Sequence, residues 1–447
     1  MKNHMFKKLI CAALVLLSIT STVACGGQNT PADTSADTSA TEVVTTVETE
    51  AETNAPVVAV KPDFFAQPDI TYNCQDDSVL LTFNEKTVAD FTSACDYYKA
   101  LGYEVYSQSQ KNGNSFITLV KDSQMAHLYF YTHKNELNMV TSETAGAALP
   151  DKNAQFVAGD TPVTFTQMKD NTHVNGMGYI IQLSDGSFII YDGSYKTQVR
   201  SLIQTLKDMA GDKKIVVRAW ILTHSHDDHY PSFSVFATKY SQEVSVEHVI
   251  FAPIDADTAK AFAGDDYFNT QFKEDVANWP EAKVIYAHTG MNFTFGDLNM
   301  EVLLAADDLF KEGNHNNYFN NSSLVSRLYT NDYSVLFLGD IGKEGCYAMM
   351  DAYGDYLQSN VCQISHHGVE DAPLAFYETV KASIWMYPCT QALYDLQERD
   401  NDVRDALRER AYTREILIAG LGQFTRTWGT TFEDGTPLSM PNYTPAK

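Results

Sequence analysis

The sequence predicts an α/β protein in which a small α+β domain precedes a larger α/β domain. The chain has 447 residues, of which 44% are apolar, so at least one large globular domain is expected. From about Phe156 onward, strand-like apolar segments alternate with a segment of helical periodicity. Residues 215–222 form a nearly continuous apolar run, and a segment rich in histidine and aspartate follows directly. These observations place the chemistry at the end of a buried strand.

The first 24 residues have the pattern of an export signal. Three lysines precede an apolar stretch over residues 9–20, and small residues lead to Cys25. This arrangement resembles a bacterial lipoprotein signal, which implies that Cys25 is lipidated. Thr22 departs from the usual leucine of that motif, so ordinary signal cleavage near Ala24 remains an alternative. The expected location is the bacterial cell surface, with the protein lipid-anchored to the membrane and facing outward.

Residues 25–60 are predicted to be a disordered acidic tether. Residues 26–60 contain no Lys or Arg and six acids, in a background of Thr, Ser, Ala and Pro that cannot bury enough surface to fold. The whole chain carries 57 acidic against 32 basic residues, a formal net charge of −25. Binding of nucleic acid through bulk charge is therefore not expected. The lipid anchor is the expected contact with the membrane.

Residues 61–150 predict the small α+β domain. Apolar residues recur at helical spacing over residues 88–101, with Thr87 and Asp90 as a start signal and Gly102 as a stop. Strands are predicted at residues 79–83, 103–106, 116–120, 127–131 and 137–141, with a hairpin turn at Asn112 and Gly113. The role of this domain stays open.

Five cysteines remain after Cys11 and Cys25 are set aside, which is too few for a disulfide framework. Single buried thiols are the favoured interpretation, and a Cys74–Cys95 bridge is the alternative.

The larger domain spans residues 156–447. Strands are predicted at residues 179–183 and 188–191, joined by a turn at Asp185 and Gly186. An apolar stripe over residues 199–209 predicts a helix that Gly211 ends, and the buried strand at residues 215–222 follows.

The segment after this strand is an HxHxDH array formed by His224, His226, Asp228 and His229. The first two histidines can present both imidazoles on one side of an extended tip, while the last two residues turn toward a second point nearby. Neutral imidazole and carboxylate are the ligands that zinc, manganese and iron accept. The array therefore predicts a metal centre.

Further motifs stand at later strand ends. Residues 335–340 form an apolar run that ends in Asp340, and residues 361–364 form another that ends in Ser-His-His-Gly. With Asp192 at the end of the early hairpin, the order of these features resembles the metallo-β-lactamase superfamily of hydrolases over residues 156–429. The resemblance implies a four-layer αββα fold and two divalent metal ions bridged by Asp340. Zinc is the expected metal, with manganese or iron as alternatives.

The superfamily's usual third histidine of the first metal is absent, and Asn320 lies in that region. Asn320 is therefore a candidate metal or substrate contact, and His315 is an alternative ligand. The Asn-x-x-Ser-Leu-Val segment resembles one branch, which contains the soluble domain of competence DNA-uptake channels and a teichoic-acid phosphocholine esterase.

The expected ligands are His224, His226, Asp228, His229, Asp340 and His366. His366 is favoured over its neighbour because it is the first histidine past the strand. Two cations that share a carboxylate can activate a water for attack and neutralise developing charge. Asp228 could also orient the nucleophile, and His367 is either a proton donor to the leaving group or a supporting residue.

The sequence therefore predicts a surface-anchored binuclear metallohydrolase, with a small or cell-envelope phosphodiester as the favoured substrate. One alternative is a hydrolase of lactones, thioesters or β-lactams with the same fold. Another is a non-catalytic binding lipoprotein. The oligomeric state stays open.

Overall fold

The computed structural model describes residues 59–172, 175–264, 267–313, 316–369, 372–396 and 401–445, which belong to one compact unit. The predicted signal peptide, Cys25 and almost all of the tether lie outside the described residues. Among the residues that are described, no helix is both long and apolar enough to cross a bilayer.

The first sheet has six antiparallel strands in the order β1-β2-β6-β5-β4-β3. The strands are β1 (Ile70–Asn73), β2 (Val79–Phe83), β3 (Glu104–Lys111), β4 (Asn114–Lys121), β5 (Gln124–Tyr131) and β6 (Glu136–Ser142). All five predicted strands of this region are confirmed, and so is the Asn112–Gly113 turn, where φ is positive at both residues. Strand β1 is an addition that the sequence analysis missed.

One helix, α1 (Val88–Ala100), forms where the spacing predicted it, and it covers the first sheet. Thr87 and Asp90 form a reciprocal capping box, which satisfies donors at the helix start. Ala94, Cys95 and Tyr98 of α1 pack on one face of the sheet. The opposite face belongs to the large core of the remaining protein, so both faces of this sheet are buried. The proposed domain boundary near residue 150 stays a prediction.

Two larger sheets follow. In the second sheet the order is β13-β12-β10-β9-β8-β7-β21, and β11 also pairs with β10. Its strands are β7 (Thr164–Gln167), β8 (Gly178–Gln182), β9 (Phe188–Asp192), β10 (Ile215–Ile221), β11 (Val244–Val246), β12 (His248–Phe251), β13 (Lys283–Tyr286) and β21 (Phe424–Thr427). The third sheet runs in chain order, with β14 (Asn292–Phe295), β15 (Leu298–Leu304), β16 (Val325–Tyr329), β17 (Ser334–Phe337), β18 (Val361–Gln363), β19 (Ile384–Tyr387) and β20 (Glu415–Ile418).

The second and third sheets pack face to face. The ring of Tyr191 in β9 stacks on Phe337 in β17 with centroids 3.8 Å apart, and its hydroxyl lies 2.8 Å from Ser326 Oγ in β16. Because side chains alternate along a strand, Ile190 points to the opposite face. There it joins Trp220 and the helices that cover the second sheet.

Helices form the two outer layers. The second sheet is covered chiefly by α2 (Val199–Ala210), α3 (Pro231–Tyr240) and α5 (Tyr267–Val276), and α8 (Lys343–Tyr353), α9 (Leu374–Val380) and α11 (Asn401–Glu409) pack on the third sheet. The remaining helices are α4 (Ala256–Ala263), α6 (Ala306–Phe310), α7 (Tyr318–Asn321) and α10 (Gln391–Asp395). The four-layer αββα fold is therefore confirmed.

This topology brings four strand ends together. Strands β9 and β10 are parallel neighbours in the second sheet, and β17 and β18 are parallel neighbours in the third. The carboxyl ends of parallel strands lie at the same edge of a sheet, and in many α/β folds ligands bind there. Asp192 is the last residue of β9, and the other three strand ends are followed by the HxHxDH array, Asp340 and the His366–His367 pair.

Candidate metal centre

The HxHxDH array is a short loop between β10 and α3, and Asp192 holds its beginning. The backbone N–H of Thr223 donates to Asp192 Oδ1 at 2.7 Å, and its hydroxyl donates to Asp192 Oδ2 at 2.7 Å. Asp192 is fully buried, with a φ of 51°. Such backbone strain in a non-glycine residue persists only where the surroundings impose it.

The first candidate group contains His224, His226 and Asp340, whose ligand atoms all lie within 4.8 Å of one another. His224 Nε2 lies 3.0 Å from His226 Nδ1 and 3.7 Å from Asp340 Oδ2. Burial and the neighbouring His229 hold the pKa of His224 well below its ordinary value. Its imidazole is therefore neutral at physiological pH, which is the state that binds a metal.

The second candidate group contains Asp228, His229, Asp340 and His367, again with ligand atoms within 4.8 Å. His229 Nε2 lies 3.2 Å from Asp340 Oδ1, and His367 Nε2 lies 3.1 Å from Asp228 Oδ2. Asp340 belongs to both groups, in agreement with the bridging position that the resemblance implied.

The hydrogen bonds at Nδ1 of His229 and His367 determine that Nε2 of each imidazole points toward the carboxylates of the second group. His229 Nδ1 lies 2.7 Å from the carboxylate of Asp192, and His367 Nδ1 lies 2.6 Å from the carbonyl of Pro388. Both neighbours accept hydrogen bonds, so each Nδ1 carries a proton. In the neutral rings, the lone pairs of both Nε2 atoms then point toward Asp228 and Asp340.

The pKa values of the two histidines of the second group show that its carboxylates favour a positive charge. Although burial lowers the pKa of His229, the carboxylates of Asp340, Asp192 and Asp228 raise it well above its ordinary value. For His367, burial is likewise outweighed, and Asp340 and Asp228 raise the pKa to about 10. The site attracts positive charge strongly, and its imidazole and carboxylate donors fit divalent transition metals.

The two adjacent histidines differ in burial, and the assignment of His366 as the ligand stays a prediction. His367 is buried in the second group, whereas the His366 side chain is 25% exposed and its Nε2 lies 3.9 Å from Asp340 Oδ2. His366 belongs to neither candidate group. Both residues have positive φ, 48° and 60°, so the turn after β18 directs the second ring inward.

Asn320 lies in α7 beside this turn. Its Nδ2 is 3.3 Å from His366 Nε2, while its buried Oδ1 has no hydrogen-bond partner among the described residues. This oxygen is available to a ligand. The alternative ligand His315 lies outside the described residues.

Several supporting residues were not identified from the sequence. Asn175 Nδ2 donates to Asp228 Oδ2 at 2.6 Å, and Ser323 Oγ accepts from the backbone N–H of Asp340 at 2.9 Å. Ser323 Oγ also lies 3.3 Å from His224 Nδ1. These contacts orient the candidate ligands, but single Asn and Ser residues carry no recognisable spacing signal.

A cavity of about 300 Å³ lies next to the array. Asp227 and Tyr230 line it from the loop itself, and Lys196 supplies a basic side chain. Its other lining residues are Tyr195, Pro231, Ser234, Val235, Tyr267, Phe268 and Gln271. The cavity thus offers aromatic surface and one basic side chain next to Asp227 of the array.

No protein-family model matches the chain, and no curated protein matches it. Among solved structures, the metallo-beta-lactamase fold protein YhfI from Bacillus subtilis is similar at 11% identity and a TM-score of 0.37, covering 60% of this chain and 99% of that chain. CmlA, a diiron beta-hydroxylase from Streptomyces venezuelae, is similar at 11% identity and a TM-score of 0.30. The similarity covers 59% of this chain and 45% of CmlA. A metallo-beta-lactamase from Hirschia baltica is similar at 14% identity and a TM-score of 0.27, covering 51% of this chain and 82% of that chain.

Proposed function

We propose that the chain is a metal-dependent hydrolase with a binuclear centre bridged by Asp340. The observation that carries this proposal is the shared carboxylate: Asp340 contacts His224 of the first group and both His229 and His367 of the second. A pair of divalent metals supplies Lewis acidity, activates water near neutral pH and stabilises charge on an oxyanion. Zinc fits the donor set, and manganese or iron are the alternatives.

The protein side chains position and tune this centre. Asp192 and the Pro388 carbonyl fix the tautomers of His229 and His367, so that each Nε2 faces the metal position. Asp228, held by Asn175, binds in the second group and orients the nucleophile. His367 belongs to this metal group, so the partly exposed His366 is the better candidate to contact the substrate, together with Asn320.

We propose a small phosphodiester as the substrate. The open oxygen of Asn320 and the basic Lys196 at the adjacent cavity are consistent with an anionic group bound next to the metals. The aromatic side chains of the cavity suit an organic substituent on that phosphate. The net charge of −25 disfavours long polyanions, which supports a small or zwitterionic ester over duplex DNA.

The sequence also allows two alternative functions. A lactone, thioester or β-lactam hydrolase would use the same centre on a neutral carbonyl. A binding lipoprotein would retain the fold without turnover. We further propose that Cys25 anchors the protein to the outer face of a bacterial membrane, a proposal that rests on the signal motif.

One paired experiment tests the enzyme proposal. Metal analysis of the protein from Lys61 onward, expressed with metal supplements and purified without chelators, is combined with hydrolysis of bis-p-nitrophenyl phosphate, a lactone and nitrocefin. We expect at least two ions per chain and turnover of the phosphodiester. Lys196→Met should raise KM for the phosphodiester, whereas Lys239→Met, which removes an exposed lysine on α3, should leave it unchanged. Metal-free protein after supplemented expression would contradict the enzyme proposal and favour the binding lipoprotein.

A further inference from the structure

A second set of metal-ligating side chains lies outside the proposed hydrolytic centre. Cys74, His288 and Asp307 offer a sulfur, an imidazole and a carboxylate within 4.8 Å of one another. Cys74 follows β1 of the first sheet, His288 follows β13 of the second sheet, and Asp307 lies in α6. Three segments that are distant in sequence therefore meet at this point.

The three side chains line one small cavity. His288 Nδ1 lies 2.6 Å from Asp307 Oδ2, and Cys74 Sγ lies 3.9 Å from the same oxygen. A cavity of about 20 Å³ adjoins them, which is enough for one water-sized particle. His288 and Asp307 are buried at 3% and 7% exposure. The space is too small for an organic substrate, so an ion or a water is the occupant that fits.

The charge around this cavity is strongly negative. Asp76 and Asp255 line it together with Asp307, and His288 is the one lining residue, among those described, that can carry positive charge. Asp255 already accepts hydrogen bonds from Tyr72 and from the start of α4, and Asp76 accepts from Ser78. Asp255 and Asp307 are buried and Asp76 is half-buried, and carboxylates grouped around a single partial counter-charge favour an added cation.

His288 has an oxygen neighbour at each ring nitrogen. Its Nδ1 lies 2.6 Å from Asp307 Oδ2, and its Nε2 lies 3.5 Å from the hydroxyl of Ser78, which donates to Asp76. These contacts hold the imidazole next to the Asp307 carboxylate, with the Cys74 sulfur nearby.

We propose that Cys74, His288 and Asp307 bind one divalent transition metal, most suitably zinc, which joins the first sheet to the αββα sandwich. Thiolate, imidazole and carboxylate are all zinc ligands, and a water in the adjoining cavity would complete a four-coordinate site. On binding, the Cys74 thiol releases its proton to solvent and the ion replaces any proton between His288 and Asp307. The alternative is an imidazolium–carboxylate pair that needs no metal.

Cobalt substitution distinguishes these two possibilities. Neither hydrolytic group contains a cysteine, so a near-ultraviolet thiolate-to-cobalt charge-transfer band reports on the Cys74 site alone. The full folded protein is stripped of metal, titrated with Co²⁺ and followed by absorption. We expect this band in the wild type and total binding of three ions per chain, one for each group. Saturation without the band would overturn the proposal and leave the imidazolium pair.

Matched variants assign the band. Cys74→Ser should abolish the band and lower the metal content from three ions to two, whereas Cys95→Ser, which changes a buried thiol on α1, should preserve it. Asp340→Ala should also preserve the band, because Asp340 belongs only to the hydrolytic groups. Loss of metal at the hydrolytic centre is therefore distinguishable from loss of metal at the Cys74 site. A band that persists in folded Cys74→Ser would contradict the assignment. If Cys74→Ser does not fold, loss of the band in folded Cys95→Ser would equally contradict the assignment of the band to Cys74.

Discussion

His229 and His367 face each other with their Nε2 atoms 3.3 Å apart, although both side chains are fully buried. The Nδ1 atom of each ring contacts a hydrogen-bond acceptor, which is the Asp192 carboxylate for His229 and the Pro388 carbonyl for His367. Two neutral rings in this arrangement direct lone pairs at each other. The arrangement is stable when a cation lies among Asp228, Asp340 and the two nitrogens, and that cation can be a proton or a metal ion.

The metal-free protein should therefore lose stability as the pH rises. The pKa of His367 is raised from 6.5 to about 10, so its protonation stabilises the folded state fully below pH 6.5. This contribution disappears as the pH rises through about 10. We expect the Tm of the metal-free protein to fall by roughly 4 °C between pH 7 and pH 10.

The metal-loaded protein should lack this additional loss, because the ion takes the place of the proton. Calorimetric titration with Zn²⁺ at pH 7 in buffers of different ionisation enthalpy should also detect proton release. Equal pH dependence of Tm in the two forms would contradict the proposed occupancy of the site.

Asp340→Ala and His226→Ala should each lower kcat/KM for the preferred substrate by more than tenfold, which corresponds to over about 1.4 kcal/mol. Asp340 is shared between the groups, and His226 belongs to the first group. Both lie at strand ends, so the packed sheets should remain intact. Thermal melts of metal-free His226→Ala should nearly coincide with the wild type, whereas metal-free Asp340→Ala should melt lower at pH 7, because Asp340 is the main carboxylate that raises the pKa of His367.

The matched control for these variants is Asp351→Ala, which removes an exposed carboxylate on α8. It should retain wild-type turnover and metal content. Retention of more than about a tenth of the wild-type rate by Asp340→Ala would refute the bridging site.

Alanine variants of His366 and His367 should affect metal binding and turnover differently. His367→Ala removes a ligand of the second group and should reduce the metal affinity of that group by roughly 10- to 100-fold or more. His366→Ala should keep the metal content and lower kcat, because His366 lies at the exposed side of the centre. Metal titration and steady-state kinetics on both variants decide between them. The reverse outcome would support His366 as the ligand, which is the assignment that the sequence favoured.

The difference between His366 and His367 shows where sequence reasoning reaches its limit. The HxHxDH array and Asp340 could be selected because each follows an apolar strand pattern, and the structure brings them together. Which histidine points inward depends on two consecutive left-handed residues after β18, and no periodicity encodes that turn. The Pro388 carbonyl that fixes His367 is a backbone atom, so residue type alone does not reveal it.

Elements of the fold that depend on neighbouring residues could be predicted from the sequence, whereas packing between distant segments could not. The capping box of α1 and the hairpin at Asn112 depend on neighbouring residues, and both were predicted. The burial of the second face of the first sheet depends on contacts between residues far apart in sequence, such as Phe116 and Tyr353, whose rings lie 6.3 Å apart. An apolar strand pattern predicts that a face is buried, but it does not identify the partner.

Cys25→Ala should release the protein from the membrane fraction. The signal is expected to be removed on maturation, and the following segment is polar and acidic, so lipid on Cys25 is the expected attachment. Detergent partitioning of the wild type and variant in a bacterial host measures this directly. Cys95→Ala serves as a control that should remain membrane-bound. Equal partitioning of the wild type and Cys25→Ala would indicate ordinary secretion or an uncleaved anchor.

Phosphodiesters should be turned over faster than β-lactams, and Asn320 should contribute to that preference. Its buried Oδ1 has no hydrogen-bond partner among the described residues, and its Nδ2 lies 3.3 Å from His366 Nε2. An amide is a weaker metal ligand than imidazole, so a coordination position stays open to an anionic phosphate oxygen. A neutral lactam carbonyl gains less from such a position, because its charge develops only in the transition state.

The measurement compares kcat/KM for bis-p-nitrophenyl phosphate and nitrocefin on one metal-replete preparation of wild type, Asn320→His and Asn320→Ala. We expect Asn320→His to reduce the preference for the phosphodiester, because an added imidazole would occupy the open position. Asn320→Ala removes the amide without adding a ligand, so it separates the loss of the Oδ1 contact from the gain of a metal bond. It should raise KM for the phosphodiester while leaving the lactam rate nearly unchanged. A lactam preference in the wild type would contradict the phosphodiester proposal, whereas the four-layer fold and the bridging role of Asp340 would be unaffected.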